Sequence, residues 1–373
     1  MIPLFKVFIS KDINEKLLSV LHSGFIGEGE SVKGFENNLR DFLDSNFVAT
    51  VNAGTSALHL AYHMSLYKKK GYKVNNDLEI ITSPMTCSAT NTPIINNGAK
   101  IVWADCDSNT GNICPESIRK KITSKTRAIV MIHWGGNPCL IDEINQIAKE
   151  YGIKVVEDAA HALGSEYKSK KIGSISDFTC FSFQAIKHIT SVDGGLLCCK
   201  SKESYERAKL LRWFGIDREP KAKEKVDLRC ELDISEAGYK FHMNNISAVV
   251  GNENLKHVNY IVGKHRENAL FYNNYFDAHG IKYAKENEKS AYWLYTIHTN
   301  NRDELMRGLQ EKGIMSSKVH ARNDKHSMFK DFYTDDLKGV DEFNRTHLCI
   351  PVGWWVNEKD REYIAKSIVE LNN

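Results

Sequence analysis

No stretch of the 373-residue sequence approaches the roughly 18 consecutive apolar residues that a membrane-spanning helix needs. The N-terminal residues Met1 to Lys6 also lack the basic, apolar and small-residue succession of a secretory signal, so a cytoplasmic location is expected. Proline is scarce, at 7 residues. No C-x-x-C pair occurs among the 9 cysteines (Cys87, Cys106, Cys114, Cys139, Cys180, Cys198, Cys199, Cys230 and Cys349). Several of these lie inside apolar runs, where free cysteine behaves as a small hydrophobe, so neither a disulfide framework nor a metal site is expected. An excess of one charge is missing too: 50 basic residues face 47 acidic ones, a formal net charge of +3. Short basic runs at Lys68 to Lys70 and Lys221 to Lys225 have no accompanying aromatic or glycine pattern, and read as solvated loops. Nucleic acid and membrane are therefore not expected partners.

What is present is the alternation of an α/β protein. The length exceeds what one hydrophobic core usually serves, which predicts two lobes. Apolar and β-branched runs occur at Glu79–Thr82, Lys100–Trp103, Ala128–Ile132 and Lys154–Val156, recurring every 21 to 28 residues. Two more follow at Phe178–Phe181 and Leu196–Cys199. The connecting piece Ile141–Tyr151 has apolar residues at 141, 144, 147 and 148, which is helical spacing. Buried strands separated by helices predict a parallel sheet covered on both faces, with ligands at the carboxyl ends of the strands. A helical connector from about Asn244 to Phe276 divides the chain into residues 1–245 and a smaller α+β unit, 246–373. In the latter, Tyr292–Thr299 reads as a strand, and Arg302–Lys312 and Glu358–Leu371 as helices.

Four features fall near strand ends. Asn52-Ala53-Gly54-Thr55-Ser56 enters a helical run, whose free N–H groups and dipole suit a phosphate; alone, Thr55 and Ser56 read as helix caps. Asp158 follows the run Val155-Val156-Glu157 and could be a cap, a metal ligand or the partner of a cationic ligand. Lys187, in Ser182-Phe183-Gln184-Ala185-Ile186-Lys187-His188, lies 29 residues beyond Asp158; alone it reads as a solvated loop lysine. Asp193-Gly194-Gly195 then restarts a strand through a tight turn. Together they make the set that pyridoxal phosphate requires: a lysine for the Schiff base, a carboxylate for the pyridine nitrogen, and hydroxyl and N–H groups for the phosphate. A carboxylate about 4 Å from the ring cation contributes roughly 4 kcal/mol at an effective dielectric of about 20, enough to keep that nitrogen protonated.

The sequence resembles the DegT/DnrJ/StrS sugar aminotransferases. The resemblance is carried by Gly24-Phe25-Ile26-Gly27, Gly54-Thr55-Ser56-Ala57-Leu58, Glu157-Asp158-Ala159-Ala160-His161, Phe181-Ser182-Phe183 to Lys187, Gly194-Gly195, Gly238-Tyr239, Ala291-Tyr292-Trp293-Leu294-Tyr295 and Ile350-Pro351. It implies a fold-type I pyridoxal phosphate enzyme: a large domain with a mainly parallel seven-stranded sheet flanked by helices, plus a smaller α+β C-terminal domain. By the same resemblance Lys187 is the Schiff-base lysine and proton shuttle, Asp158 pairs with the ring nitrogen, and His161 lies beside the ring oxygen. Gly54, Thr55, Ser56 and Ser182 would hold the phosphate, and Phe25, His188, His320 and Arg322 would join Lys187 at the substrate. The cofactor would alternate with its pyridoxamine phosphate form, as glutamate gives an amino group to a nucleotide-linked keto sugar, a 4-keto-6-deoxy sugar by family preference. The product would be an amino sugar for a surface polysaccharide or glycoconjugate. A homodimer with shared sites is implied, the segment after Gly238 reaching the neighbour's site.

The sequence departs from the family's pattern at three places. Cys87 stands where most members place an aromatic ring against the cofactor, Lys240 where an asparagine is frequent, and Val319 to His326 replaces a His-Tyr-Pro type of segment. Two other readings stay open at this point. In a related sugar 3-dehydratase branch, histidine replaces the lysine now found at 187. A non-catalytic, regulatory protein would be expected to lose part of the set Asp158, His161, Ser182 and Lys187.

Overall fold

The computed structural model describes all residues except 68–74, 218–232, 288 and 373. Both basic runs and Cys230 fall outside the described residues.

Helices α1 (Ile13–Ser23) and α2 (Glu30–Leu43) come first. α2 buries Val32, Phe35, Leu39 and Leu43 along one face, each such side chain contributing ~1.5–3 kcal/mol. β1 (Val48–Val51) then turns sharply into α3 (Gly54–Leu66). The expected runs become β2 (Glu79–Thr82), β3 (Lys100–Trp103), β4 (Thr126–Ile132) and β5 (Lys154–Asp158). Between them lie α4 (Ser88–Asn96), α5 (Pro115–Lys121) and α6 (Ile141–Tyr151). A small hairpin, β6 (Glu166–Tyr167) and β7 (Lys170–Lys171), leads to β8 (Phe178–Ser182), β9 (Gly195–Cys199) and α7 (Lys202–Leu211).

Seven of these strands form one sheet in the order β1-β9-β8-β5-β4-β2-β3. β9 runs antiparallel to β1 and β8, and the remaining pairs are parallel. The strands are apolar almost throughout because both faces are covered. One face packs on α3, with Leu58, Ala61 and Tyr62 in the core, and the other on α2 and α6, with Phe35, Ile144 and Ile147. The parallel strands therefore point their carboxyl ends to a single edge, where Thr82, Ile132 and Asp158 end β2, β4 and β5.

The helical connector is two helices, α8 (Asn245–Leu255) and α9 (Val258–His279), rather than one continuous rod. At the break the Ser10 N–H donates to Asn254 Oδ1 (2.8 Å), and the Ser10 hydroxyl meets His257 Nε2 (3.2 Å). The N-terminal segment crosses there and takes up side chains that flank the interruption. A three-stranded antiparallel sheet follows, β10 (Lys282–Tyr283), β11 (Tyr295–His298) and β12 (His347–Ile350), in the order β10-β11-β12. With it pack α10 (Arg302–Glu311) and α12 (Glu358–Asn372), around Tyr272, Phe276, Ile297, Leu309 and Ile364, while α11 (Lys338–Thr346) puts Val340 and Phe343 into the core beside Leu58 and Tyr62. Residues 2–5 run along this second layer. The Ile2 N–H donates to Gly313 O (2.7 Å), Met315 N–H to Ile2 O (3.0 Å), and the Trp355 indole N–H to Pro3 O (2.9 Å).

Candidate active site

A cleft of about 680 Å³ opens where the carboxyl edge of the large sheet faces the second layer. Asp158, Lys187, His161, Ser182, Thr55 and Cys87 all line it.

Asp158 ends β5 and is buried, at 6% exposure. Its Oδ2 accepts a 2.6 Å bond from the Thr90 hydroxyl, and its Oδ1 accepts from the Ala160 N–H (3.1 Å). Its neighbour Glu157 faces the other way, accepting from His133 Nε2 (2.8 Å) and from the Ser176 N–H (3.1 Å). The alternation of side chains along the strand thus assigns one acid to the cleft and the other to the core.

Lys187 lies five residues past the end of β8, in a loop pinned by its own N–H to Gln184 O (3.0 Å). No carboxylate lies within ion-pair distance of its amine among the described residues. The amine instead sits 3.7 Å from the centre of the Trp293 ring. Burial pulls its pKa down to about 8, with the charge of Asp158 opposing the shift. His161 is buried and stacked on Trp293, ring centres 3.9 Å apart. Burial, with Lys187 next in importance, holds its imidazole well below the usual histidine range. Its Nδ1 is buried without a partner among the described residues.

The turn from β1 into α3 brings Ala53, Gly54 and Thr55 to the cleft. Ala53, at the N-cap, makes no capping side-chain bond, and the N–H groups of Gly54 and Thr55 have no acceptor among the described residues. Close packing makes the glycines obligatory. A Cβ on Gly54 would lie 2.8 Å from Ser182 Cβ, and one on Gly195 would lie 2.5 Å from the Ala53 carbonyl carbon.

Sequence reasoning missed the far wall. Pro3, Leu4 and Phe5 line the cleft from the N-terminal segment, and Met315, Ser316 and Val319 from the second layer. Trp293 was legible only as part of a resembling segment. Here it stacks on Phe5 (4.9 Å) and donates its indole N–H to Ile186 O (2.9 Å). The backbone around it is strained: Tyr292 and Val319, the neighbours of Trp293 and His320, hold φ of 46° and 64°. Positive φ is costly for a β-branched residue such as Val319.

Other expected site residues are engaged elsewhere. Ser56 Oγ donates to Asn52 Oδ1 (2.7 Å) and does not line the cleft. His188 is in the core, bonded through Nε2 to Ala291 O (2.9 Å), so it is a packing residue and not a substrate contact. Arg322 cannot offer a free guanidinium to a nucleotide phosphate, because Asp324 holds it in two bonds (2.8 and 2.7 Å) and Asp341 in a third. His320 does line the cleft, its ring parallel to His161 at 5.6 Å, and its Nε2 is buried without a partner among the described residues. Phe25 is 81% exposed, and Lys240 has its amine over the Trp213 ring at 3.2 Å; neither reaches this chain's own cleft.

The sequence profile of the DegT/DnrJ/EryC1/StrS aminotransferase family matches residues 8–369. The chain belongs to this family. The aminotransferase is 30% identical, over 96% of its length and 94% of the relative's, to UDP-4-amino-4,6-dideoxy-N-acetyl-beta-L-altrosamine transaminase of Campylobacter jejuni. It is 31% identical to the spore coat polysaccharide biosynthesis protein SpsC of Bacillus subtilis, covering 86% of this chain and 82% of that one. Among solved structures, the sugar aminotransferase CalS13 from Micromonospora echinospora superposes with a TM-score of 0.91 at 33% identity, covering 99% and 100% of the two chains. The mainly parallel seven-stranded sheet with flanking helices is the expected fold, and pyridoxal phosphate is the cofactor of this aminotransferase. The cleft fits that group. Among the described residues it contains a lysine amine with no ion pair, a buried carboxylate one strand away, an uncapped helix N-terminus and an imidazole nitrogen with no partner.

Proposed function

We propose that this cleft moves an amino group from glutamate to a nucleotide-linked keto sugar, in the cytoplasm, for the making of an amino sugar. The single observation that carries the reading is Lys187: an amine without an ion pair, with its pKa lowered to about 8, in the same cleft as the buried Asp158. A lysine with that environment is a nucleophile at neutral pH. It is also a residue that can take a proton from one carbon and return it to another.

Pyridoxal phosphate, when bound, supplies the electron sink that lets an amino group leave one substrate and join the next. Lys187 would hold it covalently through Nζ and then act as the proton carrier. Asp158 would hold the ring nitrogen's positive charge. The free N–H groups of Gly54 and Thr55, with the Ser182 hydroxyl, would hold the phosphate. His161, kept neutral by burial, can offer its unpaired Nδ1 to the ring oxygen. Trp293 and Phe5 exclude water from the lysine side. His320, whose pKa burial lowers to about 3, is a neutral partner for a sugar hydroxyl. Cys87 lines the cofactor end of the cleft but brings no ring to stack.

A homodimer is part of this reading. Phe25 and Lys240 are exposed and lie outside their own cleft, so a second copy could use them. The lysine at 187 also favours amine transfer over sugar dehydration. The relatives' names support a sugar nucleotide as acceptor, with a 4-keto-6-deoxy sugar as the first candidate.

The test is direct. Purified protein with the cofactor should convert glutamate to 2-oxoglutarate and aminate at least one nucleotide-linked keto sugar, scored by mass spectrometry, and Lys187→Ala should abolish both. Cofactor binding without 2-oxoglutarate release across a full sugar panel would overturn the transaminase reading.

A further inference from the structure

The carboxylate of Asp158 is not held by its own strand alone. Thr90, in the first turn of α4, is 1% exposed and donates its hydroxyl proton to Asp158 Oδ2 at 2.6 Å. A hydroxyl has one proton, so Thr90 Oγ1 can only accept from Thr86 Oγ1, which lies 2.7 Å away. The chain of bonds is therefore directional, Thr86 to Thr90 to Asp158. Both threonines line the cleft, and both are buried.

The scaffold behind the two hydroxyls is fixed without them. The Thr90 N–H donates to Cys87 O (3.0 Å), and the Thr90 carbonyl accepts from the Tyr62 hydroxyl (3.0 Å). The Thr86 carbonyl accepts from Asn323 Nδ2 (2.8 Å), and Asn323 Oδ1 accepts from Asn91 Nδ2 (3.0 Å). Helix α3, helix α4 and the segment after His320 thus hold the backbone of both residues. That leaves the side-chain hydroxyls free to serve the acid. A buried hydroxyl pair aimed at a carboxylate fixes which oxygen is occupied and the plane of the group.

We propose that Thr90, supported by Thr86, is a positioning residue for the cofactor: it fixes one oxygen of Asp158 so that the carboxylate presents a set face to the ring nitrogen. This rests on the reading of Asp158 as the ring-nitrogen partner. Thr90 does not touch the reacting atoms and acts through the acid.

The test compares wild type with Thr90→Val, Thr90→Ser and Thr86→Val, reading the affinity of the apo-protein for pyridoxal phosphate and the pH profile of the bound cofactor's visible absorption band. Valine keeps the shape and removes the hydroxyl. Thr90→Val should weaken cofactor binding about tenfold or more, the usual effect of removing a bond to a charged group, and should move the band's pH midpoint. Thr90→Ser should restore both, and Thr86→Val should have a smaller effect in the same direction. Should Thr90→Val not fold, the Ser and Thr86 variants still decide, because an unchanged Thr86→Val band would overturn the directional chain. A Thr90→Val protein with wild-type affinity and band would overturn the inference alone. A wild type that fails to bind the cofactor would overturn the reading of the site as well.

Discussion

Replacing Lys187 by methionine should stabilise the protein in the absence of cofactor, and the gain should depend on pH in a defined way. Burial lowers the pKa of Lys187 from the ordinary 10.5 to about 8. The folded state therefore disfavours the ammonium that the unfolded chain carries freely. Below about pH 8 both states are protonated, and the full penalty is present. Between about 8 and 10.5 the unfolded lysine still binds a proton that the folded one has lost, so stability rises with pH through this window. Each unit of difference is worth about 1.4 kcal/mol, which places the penalty at about 3 kcal/mol. The assay is urea unfolding of apo wild type and Lys187→Met at pH 7 and at pH 10.5. The variant should be more stable by about 3 kcal/mol at the lower pH, and the difference should shrink by that amount at the higher one. Methionine also changes packing, but packing does not depend on pH, so the shrinkage is the diagnostic. A difference that stays constant with pH would refute the claim that Lys187 is held as a depressed amine. The same depression leaves about one lysine in ten neutral at pH 7, against about one in three thousand for an exposed one. The destabilised state is what makes the residue reactive.

Further outcomes follow from single contacts. Gly54→Ala should cut cofactor affinity at least about tenfold and lower stability by about 1–3 kcal/mol, measured by dye-free thermal melting and equilibrium dialysis, because its Cβ would press on Ser182 and on the Phe181 carbonyl (3.2 Å). Glu36→Leu should cost about 3–5 kcal/mol in urea unfolding: the buried Glu36 carboxylate accepts from Thr50 N–H and hydroxyl (both 2.9 Å) and from Arg212 (2.6 Å), and the change removes the acceptor of all three, leaving the guanidinium with Glu28 and the Thr50 carbonyl. His320→Ala should slow transfer to the keto sugar about tenfold or more while leaving 2-oxoglutarate release in a single glutamate turnover within about twofold; equal losses in both halves would count against a sugar-facing role. Because burial lowers His320 to about 3 and holds His161 below the usual range as well, neither should add a titration to the activity profile between pH 6 and 8.

Much of the framework could be read from the residues alone, because fully buried parallel strands show up as short apolar runs. Glu79–Thr82 and Lys100–Trp103 coincide with β2 and β3, and the runs at 128 and 154 fall inside β4 and β5. That Asp158 and Lys187 would share a cleft was legible because each follows a strand at the carboxyl edge of the sheet, and both line it. What escaped the sequence are partnerships without a local signal. Thr90 carries no signal of its own in the sequence, and only the three-dimensional fold shows its hydroxyl on an acid 68 residues away. Arg322 looked available because its captors, Asp324 and Asp341, are ordinary charged residues in a polar stretch. His188 beside the key lysine suggested the cleft, but the turn of the loop sends it into the core against Ala291. Ser56 was assigned to the phosphate together with Thr55, whereas the first turn of α3 directs it back to Asn52.

The wall formed by residues 3–5 also sets an order of events during folding. Pro3 and its partner Trp355 are 352 residues apart in the sequence. Contacts of that span form late, since so much chain entropy must be given up before they are rewarded. The sheet edge bearing Asp158 and Lys187 can therefore assemble while its opposite wall is still missing. Part of the wall around the Lys187 amine is thus made by segments from the two ends of the chain, residues 3–5 and 315–320. A chain cut short before residue 314 would keep the acid, the lysine and Trp293 yet lack the wall from Met315 to His320 and, with Trp355, the anchor of Pro3.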